Sequence, residues 1–171
     1  SLVAHLWNQR ANWQWQDFRI VGFTGSALLT ILGFILGAMI RNSSTLIPGH
    51  YHCAIGAVTI ALMAAFYDFS REVAPTDSPV EPLRRARLQL WLFAGGQAVF
   101  GLGFALAGAY GMGRKQYGAE QHVRSAGEYL GLSVMAIGGI VAVIGGVFFL
   151  TVMVRRICGW RQKLSPVSQI P

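Results

Sequence analysis

His50 and His52 are the residues of this chain best suited to chemistry. They sit in "LIPGHYHCAIGAVTIALMAAFYDF", residues 46–69, just after a Pro-Gly and at the mouth of an uncharged, mostly apolar run. On a helix, residues i and i+2 point about 200° apart, so this pair cannot chelate one metal but can reach two partners, one on each side. An imidazole inside a membrane is costly unless it is ligated or hydrogen-bonded, which makes it a functional hypothesis by default. Neutral His is also a standard axial ligand to haem iron. The alternative is that both rings lie at headgroup level and see water. Arg114 and Lys115 form the second feature. Haem propionates are anionic, and an Arg guanidinium offers them a planar, two-pronged donor. The alternative there is an ordinary pair of loop charges.

The elements that must position these groups follow from composition. The chain of 171 residues is 53% hydrophobic and only 12% charged, with a mean hydropathy of +0.45. A soluble domain carries about 25% charged residues, so the expectation is an all-α polytopic membrane protein, a single membrane domain over residues 1–171. A hydrocarbon core about 30 Å thick needs roughly 20 apolar residues in a helix. Runs at about 20–40, 50–67, 88–112 and 129–154 meet that need. The net charge of +7 falls in short clusters between these runs, which is a membrane pattern and argues against nucleic acid.

Lys and Arg counts then set the orientation. Arg10, Arg19, Arg71, Arg84, Arg85, Arg87, Arg155, Arg156, Arg161 and Lys163 flank one side, against Arg41, Arg114, Lys115 and Arg124 on the other. Both termini are expected on the cytoplasmic (inner) side, together with Trp7, Trp13, Trp15, Trp91 and Trp160 as interfacial anchors. The histidine pair and the Arg114–Lys115 pair then share the outer face.

Cys53 and Cys158 fall near opposite faces, so packing rather than a disulfide is expected of them. Small residues recur four apart at Gly33/Gly37, Gly101/Ala105, Gly127/Gly131 and Ala142/Gly146. They imply close helix packing, or else room on the third run for a flat cofactor. No charge lies mid-run. Thr30, Thr59, Ser133 and Thr151 are expected to bond their own backbone rather than form a proton path.

"IPGHYHCAIGAVTIALMAAFYDF" resembles the helix of haem-copper oxidase subunit I that carries paired haem ligands, in a form similar to the B-type oxidases. "FTGSALLTILGFILGAMIRNSS" resembles the family's ninth helix and the turn after it, and "GLGFALAGAYGMGRKQY" the end of its eleventh, where propionates are held. The last run would be the twelfth. By this resemblance His50 is the proximal ligand of a high-spin haem iron and His52 an axial ligand of a low-spin haem iron. Tyr51 is the aromatic between the two haems, and Arg114 and Lys115 meet the propionates.

The implied function is the haem-binding part of a terminal respiratory oxidase, an oxidoreductase of the electron-transport chain. Electrons reach a high-spin haem site that reduces oxygen, coupled to proton translocation. The implied partners are the lipid bilayer, other oxidase subunits, and cytochrome c, another small redox protein or quinol as donor. The implied location is a prokaryotic plasma membrane or the mitochondrial inner membrane.

The departures are specific. The copper ligands and the second low-spin haem ligand come from helices that would precede Ser1, so copper is expected only through another chain or a missing segment. Lys115 stands where the family has Arg, and Asn42 where it tends to have an acidic or imidazole group. His5 and His122 match no motif. The start at Ser1, where a loop before the ninth helix would fall, fits the C-terminal third of a split or fragmentary subunit I. The alternatives are a nitric oxide reductase component, a membrane cytochrome that only carries electrons, and a structural subunit without haem.

Overall fold

The computed structural model describes residues 17–72, 83–115 and 122–163. Four helices carry them: α1 (Phe18–Ala38), α2 (Leu46–Glu72), α3 (Leu83–Ala109) and α4 (Ala126–Lys163). All four are long and apolar enough to cross a membrane, so the chain is an all-helical membrane protein with four candidate spans. His5, Arg10, Trp7, Trp13 and Trp15 lie outside the described residues, as do the side chains of Trp160, Arg161 and Lys163. Trp91 is exposed on α3.

The helix ends differ from the apolar runs for identifiable reasons. Asp17 caps α1, its carboxylate accepting from the Arg19 N–H at 2.8 Å. The helices α2 and α3 run on through Arg71 and Arg84–Arg87 because charged, straight-chain residues are good helix formers once outside the apolar layer. At its other end α3 stops at Ala109, short of the expected 112, where Gly111 turns with a φ of 100°. A side chain rarely tolerates that conformation. Ser125 opens α4: its hydroxyl accepts from the Glu128 N–H, and the Glu128 carboxylate reaches back to the Arg124 N–H at 2.6 Å. The arrangement resembles a capping box, with the carboxylate reaching one residue before the N-cap.

Packing follows small residues. Along α3 and α4 the facing pairs are Phe93 with Gly145, Gly96 with Ala142, Phe100 with Gly138, Gly103 with Met135, and Ala107 with Gly131. The numbers in each pair add to the same total, so the helices run antiparallel in constant register. The spacing of three and four along each helix is that of a coiled-coil seam. Each level has a small residue on at least one side, which lets the backbones approach where lipid provides no hydrophobic drive. A Cβ on Gly96 would lie 2.7 Å from the Ala142 Cα. The glycines of α3 therefore meet neighbouring helices, Gly95 excepted, and do not form a slot for a flat cofactor. That corrects the alternative reading of the third run.

The pair α1 and α2 is also antiparallel, with Gly22 against Ala64, Gly25 against Ile60 and Gly33 against Cys53. One buried core cluster gathers Phe18, Leu29, Ile60, Tyr67, Leu90 and Val152 from all four helices. Arg19 on α1 pairs with Asp68 on α2, and Arg156 on α4 donates to the Ser70 hydroxyl on α2. The described chain thus enters and leaves at the same end of the bundle. Thr30, Thr59, Ser133 and Thr151 each donate to the carbonyl four residues back, at 2.8–2.9 Å, as expected. Both cysteines are free; Cys53 is buried, whereas Cys158 is exposed and does not serve the packing expected of it.

Candidate functional site

Pro48 and Gly49 place the histidines. Pro48 falls in the first turn of α2, where helix N–H groups lack intrahelical acceptors and proline costs little. Gly49 presses α2 onto α3: a Cβ there would lie 2.9 Å from the Gly101 carbonyl oxygen and 3.2 Å from the Phe104 Cβ. The Thr45 hydroxyl donates to the Phe104 carbonyl at 2.9 Å and fixes the same approach.

With α2 held so, the two imidazoles diverge as the i, i+2 spacing requires. His50 turns toward α1. Its Nδ1 lies 2.6 Å from the Gly33 carbonyl oxygen; a carbonyl can only accept, so Nδ1 carries a proton, and in the neutral ring that leaves the lone pair on Nε2. The ring lies against Gly37, where a Cβ would come within 2.8 Å of Nδ1 and 2.9 Å of Cε1. His52 turns toward α3. Its ring meets the Phe100 ring edge-on at 4.8 Å and stacks on Phe104 at 5.7 Å, with Tyr51 at 5.5 Å. Neither the His50 Nε2 nor either nitrogen of His52 has a hydrogen-bond partner among the described residues. Tyr51 is exposed on the outer flank of α2.

Arg114 and Lys115 follow α3 and are bound to the start of α2. The Arg114 N–H donates to the Ser43 carbonyl at 2.9 Å, the Thr45 N–H to Met112 at 3.1 Å, and Ser44 bridges Gly113. Lys115 adopts a left-handed φ of 58°. Among the described residues neither side chain makes a hydrogen bond or ion pair. The cations thus stand at the same end of the bundle as the histidines.

The donor chemistry at His50 is of a kind that can ligate a metal. An imidazole whose Nδ1–H is held by a backbone carbonyl is oriented, of fixed tautomer and more basic at Nε2, the usual state of a metal-ligating histidine. Between α2 and α3 the space is filled: Phe100 and Phe104 cover His52, and Gly101 meets Cys53. Any macrocycle must therefore lie on a flank of α2 that these helices leave open. Among the described residues no group of three or more His, Cys, Asp or Glu could hold a metal ion. Sequence reasoning missed Gly33 as the partner of His50, although the Gly33/Gly37 spacing was the visible signal.

Comparison with known proteins adds a relative. The chain is similar to the uncharacterized protein RP382 of Rickettsia prowazekii (strain Madrid E), at 28% identity over 134 residues, covering 72% of this chain and 25% of that protein. The chain thus spans about a quarter of the length of the curated relative it matches. No family model matches it, and no solved structure does. None of these comparisons names a haem, an oxidase or a respiratory complex.

Proposed function

We propose that this chain is the haem-binding part of a terminal respiratory oxidase, equivalent to the ninth to twelfth helices of a haem-copper oxidase subunit I. One observation carries the reading: His50 spends Nδ1–H on Gly33 and leaves Nε2 unused, while His52, two residues on, faces the other way with both nitrogens unpartnered. Unmet imidazole nitrogens in a helix built to cross a membrane are costly, and iron would remove that cost. His50 would hold a high-spin haem and His52 a low-spin haem, with Tyr51 between the two positions.

The residues divide the work. Gly33 orients His50; Phe100 and Phe104 fix the plane of His52; Arg114 and Lys115 offer positive charge to propionate carboxylates. Bound haem supplies one-electron transfer and, at the high-spin site, a place where gas is reduced. Copper and the second low-spin ligand come from a further chain or segment. The orientation is termini inside, in a prokaryotic plasma membrane or the mitochondrial inner membrane. The assembly takes its electrons from cytochrome c, another small redox protein or quinol, and oxygen reduction is coupled to proton translocation.

The aromatic packing of His52 favours a second reading, a structural subunit of such a complex that lacks haem. A dithionite-reduced minus oxidised spectrum of the purified complex, repeated under carbon monoxide, separates the two. Two haem populations with one shifted by carbon monoxide support the oxidase; one population blind to it supports an electron carrier; none supports the structural subunit.

A further inference from the structure

The start of α3 opposes the field of its own helix. A helix N-terminus carries partial positive charge and favours acidic side chains. Residues 83–87 nevertheless include Arg84, Arg85 and Arg87, and the first turn has no acid. Arg84 and Arg87 make no hydrogen bond or ion pair among the described residues. Arg84 is exposed, whereas Arg87 is half-buried and its Nε is shut off from water without an acceptor. Among the described side chains the carboxylates of this end are engaged elsewhere, Asp17 as the cap of α1 and Asp68 with Arg19.

These cations head an exposed stripe. Arg84, Leu88, Trp91, Gly95, Val99 and Leu102 recur every three or four residues and are all exposed, so they share one face of α3. The neighbouring helices take the other faces: Ala94 meets Gly25 of α1, while Gly96 and Gly103 meet α4. The stripe therefore looks out of the bundle. It is recessed at Gly95, where a Cβ would meet nothing within 4 Å. Trp91 stands about 10 Å along the axis from Arg84, between the charges and the apolar run, which is the place of an interfacial indole.

We propose that this stripe binds one anionic phospholipid, its phosphate between Arg84 and Arg87 and an acyl chain lying over Trp91 and Gly95. Side chains three apart on a helix are neighbours, so two guanidinium forks can meet one phosphate. An anion held there also turns the repulsion between the arginines and the helix terminus into attraction. Charge selects the headgroup, as at other basic sites beside membrane helices. The apolar continuation of the stripe selects a lipid over phosphate in solution. The site is independent of the haem reading.

The test is lipid retention by native mass spectrometry. The intact protein, extracted with its associated chains, is reconstituted in an equal mixture of phosphatidylcholine and phosphatidylglycerol and re-extracted. Wild type is expected to keep one phosphatidylglycerol, and to keep it in excess inorganic phosphate. Arg84→Gln with Arg87→Gln should lose it. Removing cations from a helix N-terminus favours the helix, so that loss is not a folding defect, and far-ultraviolet circular dichroism should match wild type. Arg71→Gln with Arg155→Gln removes as many charges from the same end of the bundle, but off the stripe, and should keep the lipid. Retention by the Arg84 and Arg87 variant, loss in the Arg71 and Arg155 variant, retention of phosphatidylcholine as readily, displacement by inorganic phosphate, or no lipid on wild type would each overturn the proposal.

Discussion

The Nδ1 of His50 and the carbonyl oxygen of Gly33, seventeen residues apart in the chain, meet at 2.6 Å across the α1–α2 interface. The carbonyl belongs to the interior of α1, where the helix ladder already uses one of its lone pairs. The imidazole takes the other. Gly37, one turn on, must lack a side chain for the ring to lie there.

Gly37→Ala therefore tests this contact. Alanine is the better helix former by about 1 kcal/mol, so an open site would gain stability. Its Cβ would fall 2.8 Å from Nδ1, and the overpacking should cost about 1–3 kcal/mol instead. Thermal unfolding in detergent should show a lowered Tm. A raised Tm would mean that the ring lies elsewhere.

How much of this could be read in advance differs by level. The four spans were legible because twenty uncharged residues have few alternatives to a membrane helix. The helix ends were less so: hydropathy sees the apolar layer, whereas Arg71, Arg84 and the long tail of α4 continue the helix beyond it. The opposed directions of His50 and His52 followed from helix geometry alone. Their partners did not. Gly33 and Phe104 become neighbours only through interhelical registers, and the small residues that set those registers look alike along the chain. The pairing of Phe93, Phe100 and Met135 with glycines opposite was hidden for the same reason.

That seam yields a second prediction. A Cβ on Gly145 would lie 2.7 Å from the Phe93 N and 3.1 Å from its Cβ, whereas one on Gly95 would meet nothing within 4 Å. Gly145→Val should loosen α4 from α3 and cost upwards of about 1–3 kcal/mol. Gly95→Ala should be neutral or stabilising by up to about 1 kcal/mol. Equal effects in unfolding experiments would refute the register.

The polar ties at the terminal end should differ in weight. The Arg19–Asp68 pair has side chains 54% and 33% exposed, so water and salt screen it. Asp68→Asn should cost less than about 1 kcal/mol, and less still at high salt. Ser70 is 6% exposed, and Ser70→Ala withdraws an acceptor from a charged donor in a buried place. A cost of about 1.5–3 kcal/mol is expected. The reverse order of the two midpoints would contradict the burial of the Ser70–Arg156 contact.

Gln89 offers a separate check. It is fully buried, with Nε2 bonded to the Gly145 carbonyl but Oε1 without a partner among the described residues. Gln89→Leu exchanges one hydrogen bond for relief of an unmet acceptor at similar volume, so stability should change by less than about 1 kcal/mol. Gln89→Ala leaves a cavity and should cost about 2–4 kcal/mol. A Leu variant as damaged as the Ala variant would show that the amide has a partner.

The division of labour between the two histidines is the centre of the functional account. Its most direct test is the carbon monoxide difference spectrum of the intact complex carrying His50→Ala or His52→Ala, beside wild type. The account predicts that His50→Ala removes the carbon monoxide-sensitive haem signal and that His52→Ala removes the insensitive one. Spectra unchanged in both variants would contradict it, and would leave His50 and His52 as packing residues of α2.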